Sequence, residues 1–386
     1  MNADDIIINS KLPNVGTSIF AVMTGMAKEY NAHNLSQGFP EFNPHPWLMQ
    51  RVSDHITAGH NQYAPMIGTE QLRQAISDKI EQFYGQRRNP DTEITITSGA
   101  TEAIFAAIQS TVAAGDEVII FDPAYDCYAP ATRLSGGTPI HLPLLPGDFG
   151  IDWAALESAI NDKTRMIVIN SPHNPTGATL SMSDLDKLAE LMKGSNCLLL
   201  SDEVYEHIIF DGQSHASALQ HDFLKQRSFV VSSFGKTYHA TGWKVGYCIA
   251  PPEMTVEFRK LHQLLTFATS TPMQLGIADM MNEQPDYPRE LVSFYQSKRD
   301  CFANAIKDSR FEVLPCHGTY FMLLDYSAIS DLDDMAFTEW LTKEKGIATI
   351  PLSPFYEQVP DQKIIRCCFA KSEQTLATVG TLLSAL

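Results

Sequence analysis

One lysine, Lys236, stands where a reactive amine makes more sense than a surface charge. It lies in Ser232-Ser233-Phe234-Gly235-Lys236-Thr237-Tyr238, directly after the apolar run Phe229-Val230-Val231. Its neighbours are hydroxyls, a glycine and aromatics, where a solvated lysine usually sits among other charges. Burial in such a turn disfavours the ammonium and lowers its proton affinity. The free amine is then a nucleophile that can form a Schiff base with a carbonyl. Ser233 and Lys244 bracket it, and both suit a phosphate. The alternative is a strand-end lysine held by a structural carboxylate.

A Schiff-base lysine needs a carbonyl partner. Pyridoxal phosphate would add three demands: an anion site, an acid for its ring nitrogen and donors for its phenolic oxygen. Each has a candidate at a strand end. Ser98-Gly99-Ala100-Thr101 joins a strand to a helix, so backbone N–H groups and the Thr101 hydroxyl could hold an anion, although many such turns bind nothing. Asp202 follows Leu198-Leu199-Leu200-Ser201. A carboxylate there points into the crevice where open α/β sheets bind ligands, unless it only caps the next segment. Opposite a pyridine nitrogen it would favour the protonated ring, a better electron sink. Tyr205 could donate to the phenolic oxygen or simply pack. The rigid turn Pro172-His173-Asn174-Pro175-Thr176-Gly177 presents Asn174 as a second donor.

The elements that must carry these residues are legible as patterns. Short apolar runs (Ile94–Thr97, Glu117–Phe121, Arg165–Asn170, Cys197–Ser201, Ser228–Ser232) alternate with helical stretches. That alternation predicts an α/β fold with a mostly parallel sheet. A capping box is expected at Ser183 and Asp186, opening a helix that runs through Leu185–Met192. The last hundred residues read as a smaller α+β domain. It comprises a long helix near Arg289–Asp308, strands at Phe311–Leu314, Tyr320–Asp325, Ile347–Pro351 and Lys363–Phe369, a helix over Asp334–Lys345 and a final helix. Acidic Asp333 and Asp334 with basic Lys343 and Lys345 match that middle helix's dipole. The first forty residues have too little pattern to fold alone. We assign residues 45–284 to a large domain, and 1–44 with 285–386 to the N-terminal segment and small domain.

Composition excludes several functions. The 386 residues carry a net charge of −17, which opposes a nucleic-acid surface. No apolar run is long enough to span a bilayer, and the acidic start lacks a secretory pattern. The seven cysteines show no C-x-x-C pair, as expected of reduced thiols in the cytoplasm. The twelve histidines show no zinc spacing, so no metal is expected. No G-x-G-x-x-G follows a strand, which disfavours a dinucleotide enzyme.

Taken in order, Asn174-Pro175-Thr176-Gly177, Asp202-Glu203-Val204-Tyr205, Ser233-Phe234-Gly235-Lys236 and Gly242-Trp243-Lys244-Val245-Gly246 resemble the class I/II aminotransferases of fold type I. The resemblance runs from Asn34-Leu35-Ser36-Gln37-Gly38-Phe39-Pro40 to Arg366. Within the family, Asn61-Gln62-Tyr63, Tyr125-Asp126-Cys127-Tyr128 and Pro351-Leu352-Ser353-Pro354-Phe355 are similar to the methionine, kynurenine and glutamine aminotransferases, bacterial methionine aminotransferases most of all. The resemblance implies pyridoxal 5′-phosphate held at Lys236, with Asp202 on the ring nitrogen and Asn174 and Tyr205 on the phenolic oxygen. It places Ala100, Thr101, Ser233 and Lys244 at the phosphate, Tyr63 there from the other subunit of a homodimer, and Tyr125 stacked on the ring. Arg366 would clamp the substrate carboxylate, assisted by Asn174 and the Gly38 backbone. A guanidinium fork suits that task, though a structural ion pair is the alternative. Lys244 stands where many relatives carry arginine and would act as a point charge. Phe20, Tyr63, Tyr128 and Phe355 could form an apolar substrate pocket. Methionine, aromatic amino acids and kynurenine therefore rank above aspartate, with ping-pong transfer to a 2-oxo acid. Two rivals are a cysteine-conjugate or cystathionine β-lyase using the same residues, and a non-catalytic cofactor-binding regulator. The second would usually append a DNA-binding domain.

Overall fold

The computed structural model describes residues 9–386. The predicted alternation builds one seven-stranded sheet. In chain order its strands are β1 (Ile94–Thr97), β2 (Glu117–Asp122), β3 (Thr138–Pro143), β4 (Thr164–Asn170), β5 (Leu198–Asp202), β6 (Ser228–Ser233) and β7 (Gly246–Ile249). Their spatial order is β1-β7-β6-β5-β4-β2-β3. All pairings are parallel except the two made by β7, which runs antiparallel between β1 and β6.

The strands are apolar throughout because helices cover both sheet faces. Ile119, Ile167 and Leu199 point into a core shared with helices Glu70–Tyr84, Met182–Met192 and Thr271–Glu283. Val118, Met166 and Leu200 point the other way, against helices Gly99–Thr111 and Pro252–Leu265. The capping box lies two residues earlier than expected. Ser181, not Ser183, has the extended backbone a cap needs, and it exchanges hydrogen bonds with Asp184. Starting the helix at Met182 turns Leu185, Leu188 and Met192 onto the sheet.

A second, four-stranded antiparallel sheet is ordered Ile350–Pro351, Ile364–Cys368, Phe321–Asp325, Glu312–Val313. Helices Tyr287–Ile306, Asp334–Lys345 and Glu373–Ser384 close a core over it. Asp333 caps the middle one by accepting from the Ala336 N–H, and Lys343 and Lys345 lie in its last turn. The expected strand Ile347–Pro351 is two short ones with different partners. Ile347–Ala348 pairs in parallel with His33–Asn34, while Ile350–Pro351 pairs with Ile364–Cys368. The early chain is thus laced into this part: the Cys368 N–H donates to the Leu35 carbonyl at 2.8 Å.

The antiparallel β7 follows from the turn after Lys236. Lys244 adopts the left-handed conformation at φ 55° and sends the chain back between β1 and β6. A Cβ at Gly246 would lie 2.7 Å from the Ser232 carbonyl oxygen and 2.9 Å from the Gly99 carbonyl carbon. Both obstacles are backbone, so no rotamer change relieves them. Gly246→Ala should therefore destabilise the protein by about 1–3 kcal/mol, read as a lower urea midpoint. An unchanged midpoint would show that this contact yields freely.

Candidate active site

A cavity of about 200 Å³ opens at the carboxyl ends of β4, β5 and β6. Its lining brings together Ala100, Thr101, Tyr125, Asn174, Asp202, Tyr205, Ser233, Lys236 and Lys244. These come from distant parts of the chain, and all but Lys244, which precedes β7, end or follow a strand or open a helix. The strand ends converge there because parallel strands all deliver their next residue to the same edge of the sheet.

Lys236 is partly buried, with its Nζ donating to the Gly38 carbonyl at 3.4 Å. The amine also lies 5.5 Å from the centre of the Tyr205 ring and 5.7 Å from that of Tyr320. Burial pushes it down to about 8, and Lys244 acts in the same direction while Asp202 opposes. Among the described residues no carboxylate pairs with it in a salt bridge.

The expected anion site falls at the start of helix Gly99–Thr111. Gly99 has φ 74°, and a Cβ there would stand 3.1 Å from Lys244 Nζ. Only glycine leaves the space between that helix start and the lysine. The Thr101 and Tyr125 hydroxyls are 3.3 Å apart beside it. Behind the turn, Glu102 accepts from the Ser98 N–H and from His262.

Asp202 is 4% exposed, and burial raises its carboxyl to about 6 despite donors that favour the charge. The strongest donor is the Tyr128 hydroxyl, at 2.7 Å from Oδ2. This corrects the reading of Tyr128 as a wall of the substrate pocket. Its ring is buried edge-on to Tyr125, and its hydroxyl serves the carboxylate. The next carboxylates point away from the cavity. Glu203 accepts from Ser201, His215 and the Ala218 N–H. Glu206 is ringed by Lys79, Tyr84, Ser232 and Tyr247. Burial alone would raise Glu206, but Lys79 and His207 outweigh it and hold the carboxyl well below its usual range.

Arg366 has no measurable exposure and no carboxylate partner among the described residues. Its Nη1 donates to Asn174 Oδ1 at 2.8 Å and its Nη2 to the Ser36 carbonyl at 3.0 Å, while Nε has no partner. The guanidinium can only donate, so it turns the Asn174 oxygen toward itself and leaves the amide N–H₂ free. Ring faces of Phe321, Phe20 and Phe355 lie 3.9, 5.2 and 5.9 Å from its central carbon. Phe20 and Phe355 also touch each other at 5.7 Å.

Gly38 turns its carbonyl to Lys236, and the Ser36 carbonyl accepts from Arg366. Tyr63 lies outside the cavity, 85% exposed beside Phe267. Sequence reasoning missed Tyr320, whose buried hydroxyl donates to the Gly38 carbonyl at 2.6 Å. It also missed Asn170, which accepts from the Asn174 N–H and donates to the Asp202 carbonyl. Asn170 ends an apolar strand, a signal that could have found it. Nothing local marks Tyr320.

Known proteins share this fold. The family model for aminotransferase class I and II matches residues 31–382. The chain is 49% identical to the methionine aminotransferase of Escherichia coli strain K12 over the full length of both. It is 34% identical to the kynurenine–oxoglutarate transaminase of Dictyostelium discoideum, covering 94% of this chain and 92% of that one. A crystal structure of an Escherichia coli protein, reported with a methionine aminotransferase function, superposes with a TM-score of 0.97 at 49% identity, covering 99% of this chain and 100% of that one.

Two titrations follow from the buried charges. In the cofactor-free protein, acylation of Lys236 should rise with a midpoint near pH 8, against about 10.4 for an ordinary lysine. Peptide mapping across a pH series reads it, and a midpoint above 10 would refute the buried amine. Asp202, raised by burial, favours the folded state when protonated. That contribution is full below about pH 4 and is lost as pH rises through about 6. Tyr128→Phe removes a donor to the ionised form and should move this loss to higher pH in urea titrations.

Proposed function

Because the chain belongs to the class I and II aminotransferases, we propose that it moves the α-amino group of methionine and of other large apolar or aromatic amino acids, kynurenine among them, to a 2-oxo acid. The family uses pyridoxal 5′-phosphate, and this cavity fits that group. Gly99 leaves room for a phosphate beside Lys244, where a Cβ would intrude. Asp202 is a buried acid at a strand end, and the Asn174 amide N–H₂ and Tyr205 are free to donate to a phenolic oxygen. Bound at Lys236, the cofactor would supply an aldehyde to accept the amino group and a ring to draw electrons from the Cα–H bond.

The observation that carries the reading is Arg366. A buried guanidinium with an unsatisfied N–H and no acidic partner is costly, and a substrate carboxylate would relieve it bidentately. Its flanking rings then set what the rest of the substrate meets. A side chain leaving Cα runs along Phe20 and Phe355, surfaces that favour methionine or an aromatic over a second carboxylate. Lys236 Nζ, its proton affinity lowered by burial, takes the Cα proton as a base held in place. The Gly38 carbonyl accepts an N–H of the resulting ammonium, and the Tyr205 and Tyr320 rings face its charge.

We read the assembly as a homodimer in the cytoplasm. Tyr63 and Phe267 form an exposed aromatic pair near Leu264, which is 78% exposed, as expected of a surface that a second copy covers. The seven cysteines form no disulfide, in keeping with a reducing compartment.

Purified protein loaded with pyridoxal 5′-phosphate should turn methionine and a 2-oxo acid into the exchanged pair with ping-pong kinetics. Pyruvate and ammonia formed without any 2-oxo acid would point to β-elimination instead. Lys236→Ala should abolish the exchange while folding is retained. Arg366→Lys should lower kcat/KM for methionine by about 30-fold or more, equivalent to ~2 kcal/mol. Wild-type rates in either variant would defeat the reading.

A further inference from the structure

A second cavity, larger than the one that holds Lys236, lies beside it. A space of about 730 Å³ lies at the carboxyl ends of β2 and β4, lined from the opposite face of the sheet by Phe121, Ile169 and Trp153. It is of the size that small-molecule sites occupy, about 300–1,000 Å³. Across its mouth, Gln213 accepts from Thr179 and meets the His317 ring. Among the described residues, the only charged side chains in its lining are the carboxylates of Asp148 and Asp184, with no lysine or arginine. Asp184 is engaged in its capping box, whereas Asp148 uses one oxygen on the Gly150 N–H and keeps the other. The substrates and cofactor proposed above each carry a carboxylate or phosphate, and no lysine or arginine lines the space to meet it; Lys187, behind the lining, lies over the Trp153 ring and is paired with Asp184.

At the inner end lies His173, 7% exposed. Its Nδ1 meets the Thr176 hydroxyl at 2.7 Å, and its Nε2 has no partner among the described residues. Burial pushes its ring down to about 4, so it is neutral and one nitrogen is left to bond a ligand. Apolar aromatic walls, a carboxylate at the mouth and an unused imidazole nitrogen at the floor describe one kind of molecule. We propose that this cavity binds an arylalkylamine that carries a ring hydroxyl and no carboxylate, its ring against Trp153 and Phe149, its ammonium at Asp148 and its hydroxyl at His173.

The site would be felt at the catalytic cavity through shared residues. Asn170 lines both spaces and holds the Asn174 N–H and the Asp202 carbonyl. Tyr128 lines the large one and donates to the Asp202 carboxylate. A ligand pressing on either side chain alters the hydrogen bonds of Asp202 or Asn174, so binding in the two cavities is coupled reciprocally.

The test uses the cofactor-loaded protein after borohydride treatment, which leaves no aldehyde to take up an amine. Calorimetric titrations compare tyramine, 3-(4-hydroxyphenyl)propanoate and p-cresol. Ala178→Phe fills the cavity from a residue outside the catalytic lining. It should weaken tyramine at least 10-fold and leave the propanoate, which belongs at Arg366, within 2-fold. Asp148→Asn, an exposed and structurally mild change, should weaken tyramine severalfold and leave p-cresol within 2-fold. Tyramine binding unchanged in Ala178→Phe, or equal losses for tyramine and p-cresol in Asp148→Asn, would overturn the proposal. These outcomes are read without turnover, so they stand or fall apart from the transaminase reading.

Discussion

Arg366 ties three separate parts of the chain together without being neutralised by any of them. It projects from the four-stranded sheet, donates to a turn of the seven-stranded sheet at Asn174, and donates to the early segment at Ser36. All of its direct partners are neutral oxygens. Neutral acceptors satisfy some N–H groups but leave the charge itself unanswered in a medium of low polarity. The fold therefore keeps an unmet demand for an anion at one point, and the elements around that point are arranged to preserve it.

The same economy governs the carboxylates at the end of β5. Glu203 and Glu206 are surrounded by donors that fix the loop and the neighbouring strands, and Glu206 is held well below the usual carboxylate range. Asp202, on the same short segment, has one hydroxyl and a weak backbone contact at 3.3 Å. The strand ends at Asp202 and the chain turns, with the Glu206 N–H donating to the Glu203 carbonyl, so these side chains leave in different directions. One stretch of sequence can then contain both rigid anchors and a group poised to titrate. The opposed shifts of Asp202 and Lys236 have one origin, since burial penalises either charge.

Much of this was legible in advance. The buried strands could be read because helices on both faces leave no polar alternation to obscure them. Lys236, Asp202 and Asn174 could be singled out because each comes directly after or soon after an apolar run. Tyr128 was misassigned for a physical reason: an aromatic near a predicted pocket can point its hydroxyl either way, and only the position of Asp202 decides. The capping box was misplaced because serines at 181 and 183 both have an aspartate three residues on. The choice between them rests on which start turns the helix's leucines onto the sheet.

Residue order alone determined which groups could do chemistry, since burial of an amine or a carboxylate at a strand end follows from local pattern. Only the tertiary structure decided what those groups face. Gly38 and Tyr320 are 282 positions apart, and Arg366 and Ser36 are 330 apart. Their contacts depend on how two sheets and an early segment pack. No short-range preference encodes such a meeting, because its free energy comes from burying surfaces that the chain brings together only when folded.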